Sequence, residues 1–250
     1  MNDTVAPVLR ARGLHKEYGK GEGLVRAVDG VGLDVASGET VAVMGPSGCG
    51  KSTLLHLFGG LDRPTSGELW VAGQRIDHLG ERGLARLRRD TIGFVFQAFH
   101  LMDELTAVEN VELPALLAGR PTRWARRQAR VLLGQVGLAD RAGHLPSQLS
   151  GGQRQRVAVA RALVSDPLLV LADEPTGNLD SQAAVDVLRL FDHLRASGQT
   201  LVIVTHDPRV AATADRVISM RDGVFARETR PADGSATTLA GLTDVTGLEG

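Results

Sequence analysis

The sequence predicts an α/β fold in which helices cover both faces of a parallel sheet. Three short apolar runs with the character of buried strands lie at 41–44, 168–171 and 201–204. A helical pattern follows the first run, and a polar segment of helix length at 181–197 separates the other two. Strands that alternate with helices favour a parallel sheet, because each crossover returns the chain to the edge from which it started.

Two further kinds of structure flank this core. An antiparallel β region is expected over residues 8–40, because apolar and polar residues alternate between Val31 and Val35. Later hairpins are expected around Ala72-Gly73 and at Asp222-Gly223. The pattern is helical from about 104 to 164, so this stretch is predicted to form a separate layer of helices.

These patterns divide the chain into regions. One domain is expected over residues 1–227. Its sheet core, together with the antiparallel β subdomain, would comprise residues 8–97 and 165–227, and an α-helical subdomain would comprise residues 98–164. Residues 228–250 are small, polar and rich in Gly and Thr, which predicts a loosely ordered tail.

Composition excludes several classes of protein. The 250 residues carry a formal net charge of −1, which argues against a general nucleic-acid surface. Cys49 is the only cysteine, so neither an intrachain disulfide nor a cysteine-based metal site is possible, and a reducing compartment is favoured. No run reaches the roughly 18 apolar residues of a membrane helix. We therefore expect a soluble, cytoplasmic chain that would need a membrane-spanning partner to act at a membrane.

The most informative motif is GPSGCGKST at residues 45–53. It fits the phosphate-loop pattern G-x-x-x-x-G-K-[ST] and lies between a predicted strand and a predicted helix. Lys51 is expected on the β- and γ-phosphates of a nucleotide, and the Ser52 hydroxyl on Mg²⁺. A dinucleotide-binding loop is disfavoured because Thr53 stands where its third glycine belongs. The predicted nucleotide-binding residues are Gly45, Ser47, Gly48, Cys49, Gly50, Lys51, Ser52 and Thr53.

An acidic pair follows the apolar run at 168–171. Because Asp173 and Glu174 come at the end of a parallel strand, they are expected at the sheet edge where such folds bind ligands. Asp173 could hold Mg²⁺, and Glu174 could orient and deprotonate the water that attacks a γ-phosphate. Alone, the pair would be an ordinary acidic turn, and it is the phosphate loop on the same edge that favours the catalytic interpretation.

The segment Leu149-Ser150-Gly151-Gly152-Gln153 predicts a second anion site. Ser150 is a good helix N-cap, and the two glycines behind it leave backbone N–H groups uncovered. One chain rarely needs two such sites for one nucleotide. Two copies arranged head to tail would let each nucleotide contact a phosphate loop from one copy and Ser150, Gly152 and Gln153 from the other.

The order of GPSGCGKST, Gln97, LSGGQ, LADEP, NLD and His206 resembles that of the ATP-binding-cassette (ABC) ATPases over roughly residues 8–226. Four runs are similar to the branch that contains the MacB, LolD and FtsE proteins: 19–25, 60–67, 106–111 and 176–180. The resemblance implies an α/β P-loop NTPase (RecA-like) core with a parallel sheet, an antiparallel β subdomain and an α-helical subdomain.

The resemblance also implies roles for single residues. Tyr18 would stack on adenine, and Gln97 would contact Mg²⁺ and the attacking water. Asp180 would lie across a dimer interface, and His206 would contact the γ-phosphate and pair with Glu174. A surface tyrosine and a structural histidine are the alternatives for the first and last of these residues.

The implied function is that of an ATPase subunit which dimerises around two Mg-ATP and drives a separate integral-membrane permease. Such a subunit would lie on the inner face of the cell membrane, held there by the permease. A regulatory ATPase that signals through a membrane partner, as in cell division, is an alternative. So is a soluble ABC protein acting on DNA, ribosomes or iron–sulfur assembly. The transported substrate would bind the permease and is not encoded here.

Two finer expectations concern single side chains. Cys49 lies among N–H donors at a helix N-terminus, a field that should favour the reactive thiolate. The alternative is a small filler residue that packing shields. The apolar residues Phe99, Leu101 and Met102 follow Gln97 in a predicted loop. Exposed, they would form a surface on which the permease docks, whereas buried they would belong to the core of the helical subdomain.

Overall fold

The structure is a computed structural model that describes residues 6–230. Its strands are β1 (Leu9–Tyr18), β2 (Val25–Val35), β3 (Thr40–Met44), β4 (Ser66–Val71), β5 (Gln74–Arg75), β6 (Ile92–Val95), β7 (Leu169–Asp173), β8 (Leu201–Thr205), β9 (Arg216–Arg221) and β10 (Val224–Thr229). Its α-helices are α1 (Lys51–Phe58), α2 (Glu81–Thr91), α3 (Ala107–Leu117), α4 (Thr122–Gln135), α5 (Gly151–Leu163), α6 (Ser181–Ala196) and α7 (Pro208–Ala211). Short 3₁₀ turns lie at Gly21–Gly23, Ala139–Arg141 and Pro146–Gln148.

The larger sheet has the strand order β10-β9-β3-β8-β7-β6, and its neighbours pair in parallel except for β10. Its central strands are buried on both faces, which explains why they appear in the sequence as unbroken apolar runs. Met44 pairs with Thr205, and Asp173 pairs with Val204. The carboxyl ends of β3, β8 and β7 therefore lie level, and the predicted α/β fold is confirmed.

The smaller sheet is antiparallel, with the strand order β2-β1-β4-β5. It supplies the antiparallel region expected near the N-terminus and the hairpin around Ala72-Gly73. Helix α1 lies between this sheet and the parallel one, and Leu54, Leu57 and Phe58 are fully buried in a single apolar core shared by all three layers. The helix that follows the phosphate loop is thus held from both sides.

Helices α3, α4 and α5 have an apolar core of their own, built around Val111, Leu133 and Val157. A capping box starts α3, in which Thr106 and Glu109 exchange hydrogen bonds. The three helices lie within the predicted helical subdomain of residues 98–164. The exact boundaries of that subdomain stay a prediction. The strand β10 continues to Thr229 and so includes the first two residues of the expected tail, and residues 231–250 lie outside the described part of the chain.

A buried arginine joins the two sheets at the far edge of the molecule. Arg216, on β9, forms ion pairs with Glu39 at 3.0 Å and Glu228 at 3.3 Å and donates a hydrogen bond to the carbonyl of Asp34. Only 9% of its surface is exposed. Because charges in such surroundings are costly to leave unpaired, this side chain is expected to matter for stability.

We expect Arg216→Met to lower the free energy of unfolding by about 1–3 kcal/mol, because Glu39, whose side chain is only 17% exposed, loses its ionic partner and the Asp34 carbonyl loses its donor. Urea unfolding followed by circular dichroism measures the change. Arg221→Met is the matched control on the same strand, since its ion pair with Asp222 is exposed and should contribute less than about 0.5 kcal/mol. Equal losses in the two variants would contradict the assignment.

Candidate active site

The phosphate loop leaves the end of β3 and enters α1 at Lys51. A Cβ at Gly45 would lie 2.2 Å from the carbonyl oxygen of Met220, and one at Gly50 would lie 2.0 Å from that of Ala27. Gly48 and Gly50 also have φ values of 78° and 102°, which L-residues rarely adopt. Gly45 and Gly50 are therefore required by the close approach of neighbouring backbone, whereas Gly48 has open space around it and is favoured by its positive φ alone. Ser47 and Gly48 form the exposed tip of the loop.

Lys51 is folded back over this loop. Its Nζ donates hydrogen bonds to the carbonyls of Gly45 at 2.8 Å and Pro46 at 2.9 Å, and it lies 4.0 Å from Glu174 Oε1. Only 7% of the side chain is exposed. An ammonium held among carbonyl oxygens at a helix N-terminus is suited to meet the phosphates of a nucleotide.

The hydroxyl of Ser52 donates a hydrogen bond to Asp173 Oδ1 at 3.0 Å, so it joins the start of α1 to the end of β7. Burial raises the pKa of the Asp173 carboxyl, and the hydrogen bond from Ser52 opposes that rise. The pair presents a hydroxyl and a carboxyl oxygen side by side. These are hard oxygen ligands of the kind that Mg²⁺ prefers.

Glu174 and His206 contact each other at the adjoining strand end. His206 Nδ1 lies 3.0 Å from Glu174 Oε1, while Glu174 Oε2 accepts hydrogen bonds from the Thr205 hydroxyl at 3.2 Å and the His206 N–H at 3.3 Å. Glu174 has a φ of 43°, an uncommon value for a residue with a side chain. Its backbone is held there by a hydrogen bond from its N–H to the carbonyl of Val204.

Gln97 lies on the other flank of the acidic pair. Its Nε2 donates to Asn178 Oδ1 at 3.1 Å, and Asn178 Nδ2 donates back to the Gln97 carbonyl at 3.0 Å. A Cβ at Gly177 would lie 2.8 Å from Gln97 Nε2, so this glycine makes room for the glutamine. Asn178 was missed as a functional candidate, although the NLD run that contains it was visible in the sequence.

Ser150, Gly152, Gln153 and Asp180 form a second cluster. Ser150 accepts a hydrogen bond from the Gln153 N–H at 3.2 Å, and Gln153 Oε1 accepts from the Ser150 N–H at 2.9 Å, which completes a capping box. A Cβ at Gly152 would lie 2.6 Å from Ala183 Cβ. Asp180 caps α6 by accepting from the Ala183 N–H at 2.9 Å, so the two helix N-termini lie side by side.

Tyr18 belongs to a small polar group at the end of β1. Its hydroxyl donates to Asp62 Oδ2 at 2.7 Å, and Lys16 Nζ donates to Asp62 Oδ1 at 2.6 Å. Burial raises the pKa of the Tyr18 phenol and the hydrogen bond to Asp62 adds to that rise, while a hydrogen bond with Thr53 opposes it.

A cleft of about 390 Å³ opens beside the phosphate loop. Besides Gly48 to Thr53, it is lined by Val25, Arg26 and Ala27 from β2 and by Asp222 and Gly223 from the turn between β9 and β10. The Gly223 N–H donates to the Cys49 carbonyl, which fixes this turn against the loop. The sequence predicted the turn as a hairpin and gave no signal that it lines the cleft.

A family model described as "ABC transporter" matches residues 28–177. The chain belongs to the ABC transporter family. It is 53% identical over 230 residues to the macrolide export ATP-binding/permease protein MacB 1/2 of Paracoccus denitrificans, which covers 92% of this chain and 34% of that protein. It is 51% identical over 208 residues to an uncharacterised ABC transporter ATP-binding protein of Thermotoga maritima, covering 83% of this chain and 89% of that protein.

Among solved structures, the cassette is similar to the dimeric post-hydrolysis state of the ATP-binding cassette MJ0796 bound to ADP and Pi. The TM-score is 0.83 at 42% identity, over 90% of this chain and 99% of that chain. The expected family and the expected P-loop fold are both confirmed. The chain spans about a third of the length of the MacB relative, and within residues 6–230 no helix combines the length and the apolar character needed to cross a bilayer.

The expectation of a reactive thiolate in this ABC cassette is wrong. Cys49 is only 5% exposed, and its sulfur packs against Gly45. Burial raises the pKa of the thiol, although the nearby Lys51 and the backbone N–H groups oppose that rise. The cost of removing a thiolate from water outweighs the favourable field of the helix N-terminus.

The apolar residues after Gln97 were expected either on an exposed docking surface or in the core of the helical subdomain, and the structure shows some of each. Leu101 is half-buried and packs against the core of α3, α4 and α5, whereas Met102 is 50% exposed. The backbone around them is fixed by Asn110, whose side chain bonds to both the N–H and the carbonyl of Met102. Phe99 is half-buried, with Arg154 over its ring. Of the three residues, Met102 therefore offers the most exposed apolar side chain to a partner.

We expect iodoacetamide to label Cys49 slowly in the native protein and to label it faster as the pH rises above the usual thiol pKa. Each unit of rise in pKa lowers the thiolate fraction tenfold at a fixed neutral pH. Because this is the only thiol, the mass shift of the whole protein reports it directly. The same protein in guanidinium chloride is the control. Equal rates at pH 7 with and without denaturant would contradict the burial of this sulfur.

Proposed function

We propose that this chain is the ATP-hydrolysing subunit of an ABC transporter, which dimerises around two Mg-ATP and drives an integral-membrane permease. The observation that carries the proposal is the convergence of Lys51, Ser52, Asp173, Glu174 and His206 at one edge of the parallel sheet. Phosphoryl transfer to water requires a cation that contacts the phosphates, oxygen ligands for a metal ion and a carboxylate beside them.

The nucleotide would enter the cleft beside the loop. The backbone N–H groups from Gly48 to Thr53 would receive its phosphate oxygens, and Lys51 would leave the loop carbonyls to contact the β- and γ-phosphates. Tyr18 is half-exposed at the same end of the molecule and would stack on the adenine ring. These residues bind and orient the substrate.

The donor set fits Mg²⁺. Ser52 and Asp173 supply two adjacent oxygen ligands, and Gln97 would supply a third from the far side. No cluster of three His, Cys, Asp or Glu side chains suited to a metal occurs in the described residues. Phosphate oxygens and water would thus complete the coordination, as is usual for Mg²⁺, and the ion would neutralise charge on the phosphates.

Glu174 would act as the general base. Its side chain is 14% exposed, and its Oε1 is held by His206 and faces Lys51. A carboxylate in this position can orient a water molecule and accept its proton as the water attacks the γ-phosphate. His206 is the more exposed partner and would contact the γ-phosphate from the adjoining strand end.

The dimer and the permease complete the proposal. The N-terminus of α5 at Ser150 would form an anion-binding surface separate from the phosphate loop, and Asp180 at the adjoining N-terminus of α6 would lie across the dimer interface. A second copy arranged head to tail would bring it onto the partner's nucleotide. The similar cassette described as dimeric and the MacB relative described as an ATP-binding/permease protein support this arrangement. The cassette would then lie on the cytoplasmic face of the membrane.

Glu174→Gln is expected to keep ATP binding and to lower the hydrolysis rate by about 10²–10⁴-fold, because an amide cannot accept the proton. Light scattering with Mg-ATP should show a trapped dimer. Glu81→Gln, at an exposed carboxylate on α2, is the control and should hydrolyse ATP at the parent rate. Parental activity in Glu174→Gln would remove the residue from this role.

Substitutions at Leu101 and at Met102 distinguish an effect on permease docking from an effect on folding stability. Leu101→Ser is expected to cost about 1–3 kcal/mol of stability because it opens the core of α3, α4 and α5. Met102→Ser should change stability by less than about 0.5 kcal/mol. It should nevertheless lower the stimulation of ATP hydrolysis by the membrane protein that co-purifies with the chain, with the basal rate unchanged. Full stimulation of Met102→Ser would move the docking surface elsewhere.

A further inference from the structure

One side chain of α5 lies between the two loops that carry the proposed catalytic groups. Gln155 is completely buried. Its Nε2 donates a hydrogen bond of 2.7 Å to the carbonyl of Pro175 and a longer one of 3.4 Å to the carbonyl of Phe96. Pro175 directly follows Glu174, and Phe96 directly precedes Gln97. A single amide therefore spans the two backbone segments that place the general base and the glutamine.

The orientation of this amide is fixed by its two acceptors. Because both partners are carbonyls, the NH₂ group faces them, and Gln155 Oε1 is left buried with no hydrogen-bond partner among the described residues. An unpaired buried acceptor destabilises the fold. The side chain is thus poorly explained by stability alone, and its geometry favours a role in holding the two loops.

Both loops contain backbone that needs such support. Glu174 has a φ of 43°, and Phe99 and His100 have φ values of 55° and 50°. Residues with side chains persist in this region only when their surroundings hold them there. Arg161, two turns further along α5, donates to the carbonyls of Phe99 and His100. The same helix therefore holds the loop of Gln97 at two points.

We infer that Gln155 is a positioning residue, which sets the separation of Gln97 and Glu174 by bridging the carbonyls of Phe96 and Pro175. The inference rests on the proposed ATPase function. It also gives α5 a second task, because the helix that begins at Ser150 holds both loops of its own chain. A displacement of α5 when Ser150 meets the partner's nucleotide would move the loops of Gln97 and Glu174 together.

Gln155→Leu tests the inference, since it keeps a similar size and removes both donors. We expect kcat for ATP hydrolysis to fall about 10- to 100-fold, the effect of a misplaced catalytic group. The Kd for a fluorescent ATP analogue should change less than about twofold, because Lys51 and Ser52 are untouched. Val157→Ala is the control for stability. Val157 is fully buried in the core of α3, α4 and α5, and its loss should lower Tm without lowering kcat per folded molecule.

Two further measurements separate positioning from folding. In the Glu174→Gln background, Gln155→Leu should lower the residual rate much less than in the parent, because both changes act on the same step. In the nucleotide-free protein, hydrogen exchange followed by mass spectrometry should become faster in peptides covering 96–102 and 174–180 for Gln155→Leu, and not for Val157→Ala.

The outcomes are distinguishable. Unchanged exchange in both peptides overturns the bridge, whatever the activity. Faster exchange with a parental kcat overturns the positioning role and leaves the ATPase proposal standing. A parent chain that does not hydrolyse ATP overturns the proposed function and the positioning role together, while the exchange measurement still decides whether the amide holds the two loops.

Discussion

The level ends of β3, β8 and β7 are the constraint on which the rest of this protein depends. Parallel pairing places Met44 opposite Thr205 and Asp173 opposite Val204, so the phosphate loop, the acidic pair and His206 leave the sheet at one edge. A slip of one residue would displace a strand by about 3.3 Å and turn its side chains to the other face. The three strands are buried on both faces, so such a slip would disrupt the packing of their apolar side chains on each face, and this packing holds the register.

The groups gathered at that edge also restrain one another. Lys51 faces the carboxylate of Glu174, and Ser52 donates to Asp173, so the acidic pair meets a cation and a hydroxyl donor at the start of α1. Glu174 adopts a strained φ, and the backbone hydrogen bond to Val204 fixes it to β8. The strain is tolerable because the sheet supports it from one side and α5, through Gln155 and Pro175, supports it from the other.

The local elements of this site were easier to predict from the sequence than the long-range contacts between them. The phosphate loop, the acidic pair and the capping box at Ser150 are local patterns, and each is found on the predicted element. The partner of Gln97 was not predicted, because Asn178 lies 81 residues away and reaches it only once β6 and β7 pair. The cleft walls from β2 and from the turn at Asp222 were missed for the same reason: the packing of distant backbone against the loop leaves no periodic signal.

Cys49 shows how a correct motif can carry a wrong chemical expectation. The motif places the residue at a helix N-terminus, and that position favours an anion only where the anion remains solvated or paired. In the folded chain the sulfur packs beside Gly45, so burial raises the pKa of the thiol. Lys51 and Ser52 follow Cys49 in the chain, and their side chains donate to the loop carbonyls and to Asp173. The loop thus uses its thiol as packing, while Lys51 and Ser52 are the side chains that it would offer to the proposed nucleotide.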